Sequence, residues 1–208
     1  MGYYGFGFLF LQIGASEARE LLSEWAWLID DRDLRALALT SFGDWFLEDR
    51  LDKSVHFLDS GMGKCEPVAF DRFSWLRSLR TPERQQRFLL RQQYDDLQHT
   101  PHADLETGEC YSWLLAPVVG GGLSAENVEV TSVELHQRYH ARLCRRVHEL
   151  PPTTVVTTDL IAELVEELAD ELELADAVTD LGRHVDPDGP QGILEASAAA
   201  LLNLVGLR

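Results

Sequence analysis

Gly120, Gly122 and Ala125, in LLAPVVGGGLSAENVEV, fit the dinucleotide fingerprint G-x-G-x-x-G/A. That chemistry needs glycines that close a strand and open a helix, so that pyrophosphate meets the positive end of the helix dipole. Here the residues that follow, AENVEVTSVEL, alternate with the period of a strand, and Pro117 interrupts the segment before. The expectation is a turn in which Gly120, Gly121 and Gly122 serve backbone conformation. A nucleotide-binding enzyme is therefore the last of three functional readings.

Other reactive side chains lack the partners their chemistry needs. His99 and His102 flank Pro101 in a loop that also holds Asp104 and Glu106, but no third metal ligand stands at a defined spacing, so a surface loop is expected. His136 and His140 form an i, i+4 pair on a helix that also carries His148, Arg138, Arg142, Arg145 and Arg146. Those arginines repel a dication, and a basic exposed face is expected. Cys65, Cys110 and Cys144 are odd in number with no CxxC spacing, which reads as ordinary thiols in a reducing compartment. No serine sits in a nucleophile elbow, and an acidic pair such as Asp95-Asp96 is ordinary in an acidic chain. The expectation is no catalytic residue, no cofactor and no metal.

Charge points elsewhere. The 208 residues carry 18 Lys+Arg against 35 Asp+Glu, a formal charge of -17, which disfavours direct nucleic-acid and anionic-membrane partners and favours a basic one. Residues 151–208 hold 12 of those acids and only 2 of the basic residues. The opening MGYYGFGFLFLQIG is apolar but has no basic flank or cleavage site, is too short to span a bilayer, and has Phe6 where a myristoylation signal needs Ser or Thr. It is expected to be the buried first segment of a cytoplasmic protein.

The elements that must position these residues follow from periodicity. Ser16 caps a helix over about 16–30. From Thr40 the runs FGDWFLEDR, SVHFLDSG and KCEPVAF read as an antiparallel meander of three strands. Asp71 caps a helix bearing Phe73, Trp75, Leu76 and Leu79, and Thr81-Pro82 opens another, TPERQQRFLLRQQYDDL. Next come an apolar segment over 113–119, a strand over 128–133, and the helix ELHQRYHARLCRRVHEL, which Pro151-Pro152 ends. The fold class is α+β, an antiparallel sheet with flanking helices in a domain over 1–152. An acidic helical hairpin over 153–208 extends it. In its first helix Leu160, Ile161, Leu164, Val165, Leu168 and Leu172 share one side, and Glu163, Glu166, Glu167, Asp170 and Glu173 lie opposite. The 45% apolar content supplies a core, and the acidic row is a candidate surface for a basic protein.

Two blocks resemble a family. FGDWFLEDRLDKSVHFLDSGMGK and GECYSWLLAPVVGGGLSAENVEVTSVELHQRYHARLCRRV are similar, in order and spacing, to the C-terminal domain of bacterial type VI secretion immunity proteins, themselves similar to GAD-like and SUKH-type immunity modules. The resemblance covers roughly residues 40–150. It implies a cytoplasmic protector that binds and blocks a delivered toxin, often a nuclease, without catalysis. On it Gly43, Asp44, His56, Leu58 and Asp59, and then Cys110, Tyr111, Pro117, Gly121, Gly122, Glu126, Asn127 and His136, are fold-defining positions. The third glycine and Leu123 depart from the family pattern. The other reading is a structural or regulatory adaptor that forms homo-oligomers through the leucine stripe of the tail.

Overall fold

A computed structural model describes residues 9–100, 104–151, 154 and 157–171. The three runs read as a meander form β3 (Trp45–Asp49), β4 (Val55–Asp59) and β5 (Lys64–Ala69), with Phe46 opposite Phe57 and Phe57 opposite Glu66. Two further strands, β1 (Phe10–Leu11) and β2 (Leu34–Thr40), complete an antiparallel sheet in the order β1-β2-β3-β4-β5. All five residues of the central β3 are buried, whereas β5 is an edge strand, where Pro67 costs the ladder nothing it needs. Of the expected buried opening segment, Leu9 is fully buried, and residues 1–8 lie outside the described residues.

Helices cover both faces of this sheet. On one side α1 (Ala15–Ser23), α2 (Ala26–Ile29) and α6 (Val133–Glu149) pack on Leu39, Trp45, Leu47 and Leu58. On the other, Phe46, Val55 and Phe57 meet α3 (Arg72–Ser78) and α4 (Pro82–Leu89) through Trp75, Leu79 and Phe88, whose rings lie 4.9–6.1 Å from that of Phe46 where they are aromatic. Such aromatic contacts add about 0.5–1.5 kcal/mol per pair beyond area burial. Glu48, facing this second side from β3, receives Arg35 of β2 and Arg72 of α3, which ties the start of α3 to the sheet.

Two expected helices are each broken. The helix over 16–30 divides at Trp25, whose indole turns fully inward. The helix from Thr81 stops at Leu90, which takes a left-handed conformation (φ 48°) before α5 (Arg91–Leu97). The break redirects the chain between cores: Phe88 and Leu89 pack with Phe46, while Leu97 packs with Tyr111 and Phe42. Asp71 caps α3 as expected, accepting from the Ser74 amide at 2.7 Å.

A second, two-stranded sheet pairs β6 (Glu109–Trp113) with β7 (Val128–Ser132), Tyr111 opposite Val130. The apolar segment expected at 113–119 is thus a strand that ends at Trp113, followed by a short 3-10 turn at Pro117–Val119. The Tyr111 amide donates to Ser41 O at 2.8 Å, hooking the small sheet onto the β2–β3 turn. Past Pro151, α7 (Thr158–Glu171) seats Ile161, Leu164 and Leu168 in a core with Ala116, Val119, Tyr139 and Leu143. The second arm of the expected hairpin lies outside the described residues.

Candidate functional site

Of the residues expected to define the fold, Gly43, Asp44 and His136 meet under α6. Gly43 and Asp44 occupy the tight β2–β3 turn, where the Thr40 hydroxyl accepts from the Phe42 and Asp44 amides at 3.3 and 3.0 Å. Gly43 has φ 78°, and a Cβ there would overlap the His136 imidazole. Asp44 Oδ1 accepts from both the amide and the hydroxyl of Ser60, each at 2.8 Å. His136 Nε2 stands 3.0 Å from Ser60 Oγ, His136 Nδ1 stands 3.0 Å from Ser112 Oγ, and Ser112 Oγ stands 3.2 Å from His140 Nε2.

One proton assignment satisfies this chain. Ser60 gives its only hydroxyl proton to Asp44, so it accepts from His136 Nε2–H. His136 Nδ1 is then an acceptor and takes the Ser112 proton, which leaves Ser112 to accept from His140 Nε2–H. Both histidines are neutral Nε2–H tautomers, and the chain runs from His140 to Asp44. Beside it, Gln137 Oε1 accepts from the indoles of Trp25 and Trp45 at 2.7 and 2.9 Å, and its Nε2 donates to Gly43 O at 2.7 Å. Helix α6 is thereby pinned to α1–α2, to the large sheet and to the small one.

Burial governs the electrostatics here. Asp44, Ser60, His136, Ser112 and His140 are all buried. Burial, then the neighbouring His140, holds His136 well below the usual imidazole range, and burial brings His140 down to about 3. Burial and the charge of Asp59 raise Asp44 well above the usual carboxylate range, against the lowering effect of the two Ser60 hydrogen bonds. The expected basic exposed face is therefore corrected for His136 and His140: they occupy the inward side of α6, while Arg138, Arg142, Arg145 and Arg146 lie partly exposed and reach Glu24, Glu134, Glu149 and Glu167.

A lowered imidazole pKa stabilises the fold fully above the unfolded value near 6.5 and is lost as pH falls toward the folded value. Each pH unit below about 6.5 should remove up to about 1.4 kcal/mol per histidine. Urea titrations at successive pH values should show a midpoint that falls from pH 6.5 to 4, and less steeply in His140→Gln. An equal slope in the variant would mean that His140 is protonated in the fold. The difference between the two proteins removes the opposite contributions of Asp44 and the other raised carboxyls.

The glycine loop is a stapled turn. Gly120 closes the 3-10 turn by donating to Pro117 O, and a Cβ on Gly121 would overlap the Leu115 carbonyl, whereas Gly122 has open space around its Cα. Asn127 holds the loop: Oδ1 accepts from the Leu115 amide at 2.9 Å, and Nδ2 donates to Leu115 O and Gly122 O at 2.8 Å each. The glycines lead through a single 3-10 turn, Ala125–Asn127, into β7, not into an α-helix. Asn127→Ala removes all three bonds and should cost about 1–3 kcal/mol, read as a lower denaturant midpoint with an unchanged slope. A shift under about 0.5 kcal/mol would mean that water replaces the amide fully.

The remaining expected residues are scattered. His56 is buried in β4, 3.0 Å from Ser54 Oγ. The Asp59 carboxyl accepts from the Met62 amide at 2.9 Å, and Tyr111 is buried against Phe42, 5.2 Å between ring centroids. His99 is exposed; His102 lies outside the described residues. The three cysteines are unpaired, and burial pushes the Cys144 thiol up to about 12 and Cys65 to about 11, so neither is poised as a thiolate nucleophile. Among the described residues no group of three or more His, Cys, Asp or Glu can hold a metal ion, and no helix is long and apolar enough to cross a membrane.

Two surfaces remain. Glu163, Glu166 and Glu167 are exposed on α7, with Glu167 Oε2 3.7 Å from Arg146 Nη1. Asp170 falls in the last turn of α7, and Glu173 lies outside the described residues. The second surface was not legible in the sequence. Leu51, Phe70 and Phe73 are 85%, 89% and 75% exposed, and Phe73 is thereby corrected from its expected place on the apolar side of α3. Leu51 sits in the β3–β4 turn and Phe70 follows Ala69, which pairs with Val55, so both lie at one end of the sheet. Comparison of the chain with protein-family models and with curated proteins returns no match.

Proposed function

We propose that this chain is an immunity protein that neutralises a bacterial toxin by binding it, with the acidic face of α7 as its contact for a basic partner. The observation that carries the reading is how α7 is held. Its apolar stripe is buried against α6 and the Ala116–Val119 segment, which fixes Glu163, Glu166 and Glu167 outward on a rigid support. Carboxylates carried on a helix already packed in place add no backbone-ordering cost on binding, and their summed field accelerates encounter with a basic protein. The likeness of the two sequence blocks to type VI secretion immunity proteins points the same way, toward a nuclease or another basic toxin. The grouped histidines and serines are sealed under α6 and serve its attachment.

The test is co-expression with the product of the neighbouring open reading frame, followed by binding kinetics. The expected result is rescue of growth, and an association rate that falls about 10-fold or more in the Glu163→Gln, Glu166→Gln, Glu167→Gln variant at low salt, with the difference shrinking as salt is raised. A variant with Leu51, Phe70 and Phe73 each changed to Ser tests the second surface: loss of protection there with normal kinetics in the charge variant moves the contact to the end of the sheet. Failure to protect against that toxin at all sinks the reading. A concentration-dependent oligomer in place of a toxin complex supports the adaptor instead, and thermal stabilisation by NAD, ATP or GTP supports a nucleotide-binding enzyme.

A further inference from the structure

The face of β7 that looks toward α6 is polar: Glu129 and Thr131 alternate with Val128 and Val130, which pack on the opposite side with Tyr111 and Trp113. Glu129 and Thr131 are 4% and 3% exposed, and Glu129 Oε2 and Thr131 Oγ1 are buried without a protein hydrogen-bond partner. Both residues border a cavity of about 10 Å³ whose lining includes Ser112, His136 and Tyr139. We propose that this cavity is a binding site for one ordered water molecule, held by the Glu129 carboxyl and the Thr131 hydroxyl.

Three features carry the assignment. The cavity has about the volume of one water-sized sphere, the least that admits a water. Two nine-tenths-buried polar atoms need a partner, since a buried oxygen left without one forfeits the hydrogen bond it makes with water in the unfolded chain. The neighbouring protein groups are already committed, because the Ser112 proton goes to His136 and both His136 nitrogens are engaged. A water supplies two donors and two acceptors to these two groups.

The site also sets the state of Glu129. The titratable groups beside it are Tyr139 and His136 from α6 and Cys110 from β6, and burial keeps each of them in its neutral form. Burial pushes Glu129 up to about 7, and among the described residues no cation offsets this. Below neutral pH the site therefore contains a carboxylic acid that donates to the water, which in turn serves Thr131.

A crystal structure that resolves ordered solvent, grown below pH 7, tests this. The expected result is a single well-ordered peak about 2.7–3.2 Å from both side chains, lost in Thr131→Val and kept in Glu129→Gln. Infrared spectra should show a protonated-carboxyl band below pH 7 that disappears in Glu129→Gln and moves to higher frequency in Thr131→Val. A cavity without density, or a Glu129 carboxyl turned out to solvent and ionised at pH 6, overturns the proposal. The wild-type density decides the matter even if neither variant folds.

Discussion

Gly43→Ala should destabilise the protein by about 3–5 kcal/mol. An L-residue in left-handed backbone costs about 1–2 kcal/mol, and Gly43 has φ 78°. The added Cβ would also overlap His136 Nε2. Moving the imidazole breaks its bond to Ser60, and overpacking of this kind costs about 1–3 kcal/mol on its own. On one side the imidazole is blocked by His140, which lies 4.3 Å away between ring centroids. Urea unfolding followed by tryptophan fluorescence should give a lower midpoint, and the melting temperature should fall by about 10 °C. A loss below about 1 kcal/mol would show that α6 can shift outward at little cost, and the account of this joint would be wrong.

Gln137→Leu should cost about 3–6 kcal/mol although it preserves shape and adds apolar surface. The amide serves three buried groups at once, the Trp25 and Trp45 indole N–H groups and the Gly43 carbonyl. Each group left without a partner costs about 1–3 kcal/mol. The three bonds join α1–α2, β3 and the β2–β3 turn to one side chain, so their loss affects the attachment of three elements together. Because Trp25 and Trp45 report directly on the change, a shifted native-state emission spectrum should accompany the lower stability. Gln137→Glu separates the two halves of the amide: it keeps the acceptor for the indoles but loses the donor to Gly43 O and buries a carboxyl. A Leu variant as stable as the wild type would mean that the indoles find other acceptors.

The meander was readable because its strands alternate with aromatic and β-branched residues between short polar turns, a pattern set by neighbours in sequence. Strand β2, LRALALT, was not, since leucine and alanine favour helices and only pairing with β1 and β3 makes this run a strand. The same limit hid the breaks at Trp25 and Leu90. Helical periodicity continues through both positions, and the chain turns there because the apolar residues on either side belong to different cores. His136 and His140 were misplaced for a related reason. Four arginines on the same helix suggested an exposed basic face, while the surrounding Ser60, Ser112 and Asp44, which make buried histidines tolerable, come from up to 96 residues away in the chain.

By itself the sequence determined the α+β class, the turn character of the glycine loop, the capped starts of α3 and α4, and the amphipathic acidic helix with its stripe and its row of carboxylates. These are local properties, written in periodicity, capping residues and charge. The tertiary structure alone decided that Asp44, Ser60, His136, Ser112 and His140 form one hydrogen-bonded chain, that Gln137 gathers two tryptophans, that Glu129 and Thr131 share a cavity, and that Leu51, Phe70 and Phe73 are left exposed. Burial and hydrogen-bond partnership depend on residues far apart in sequence, and no local pattern encodes which polar side chain will meet which partner inside the core.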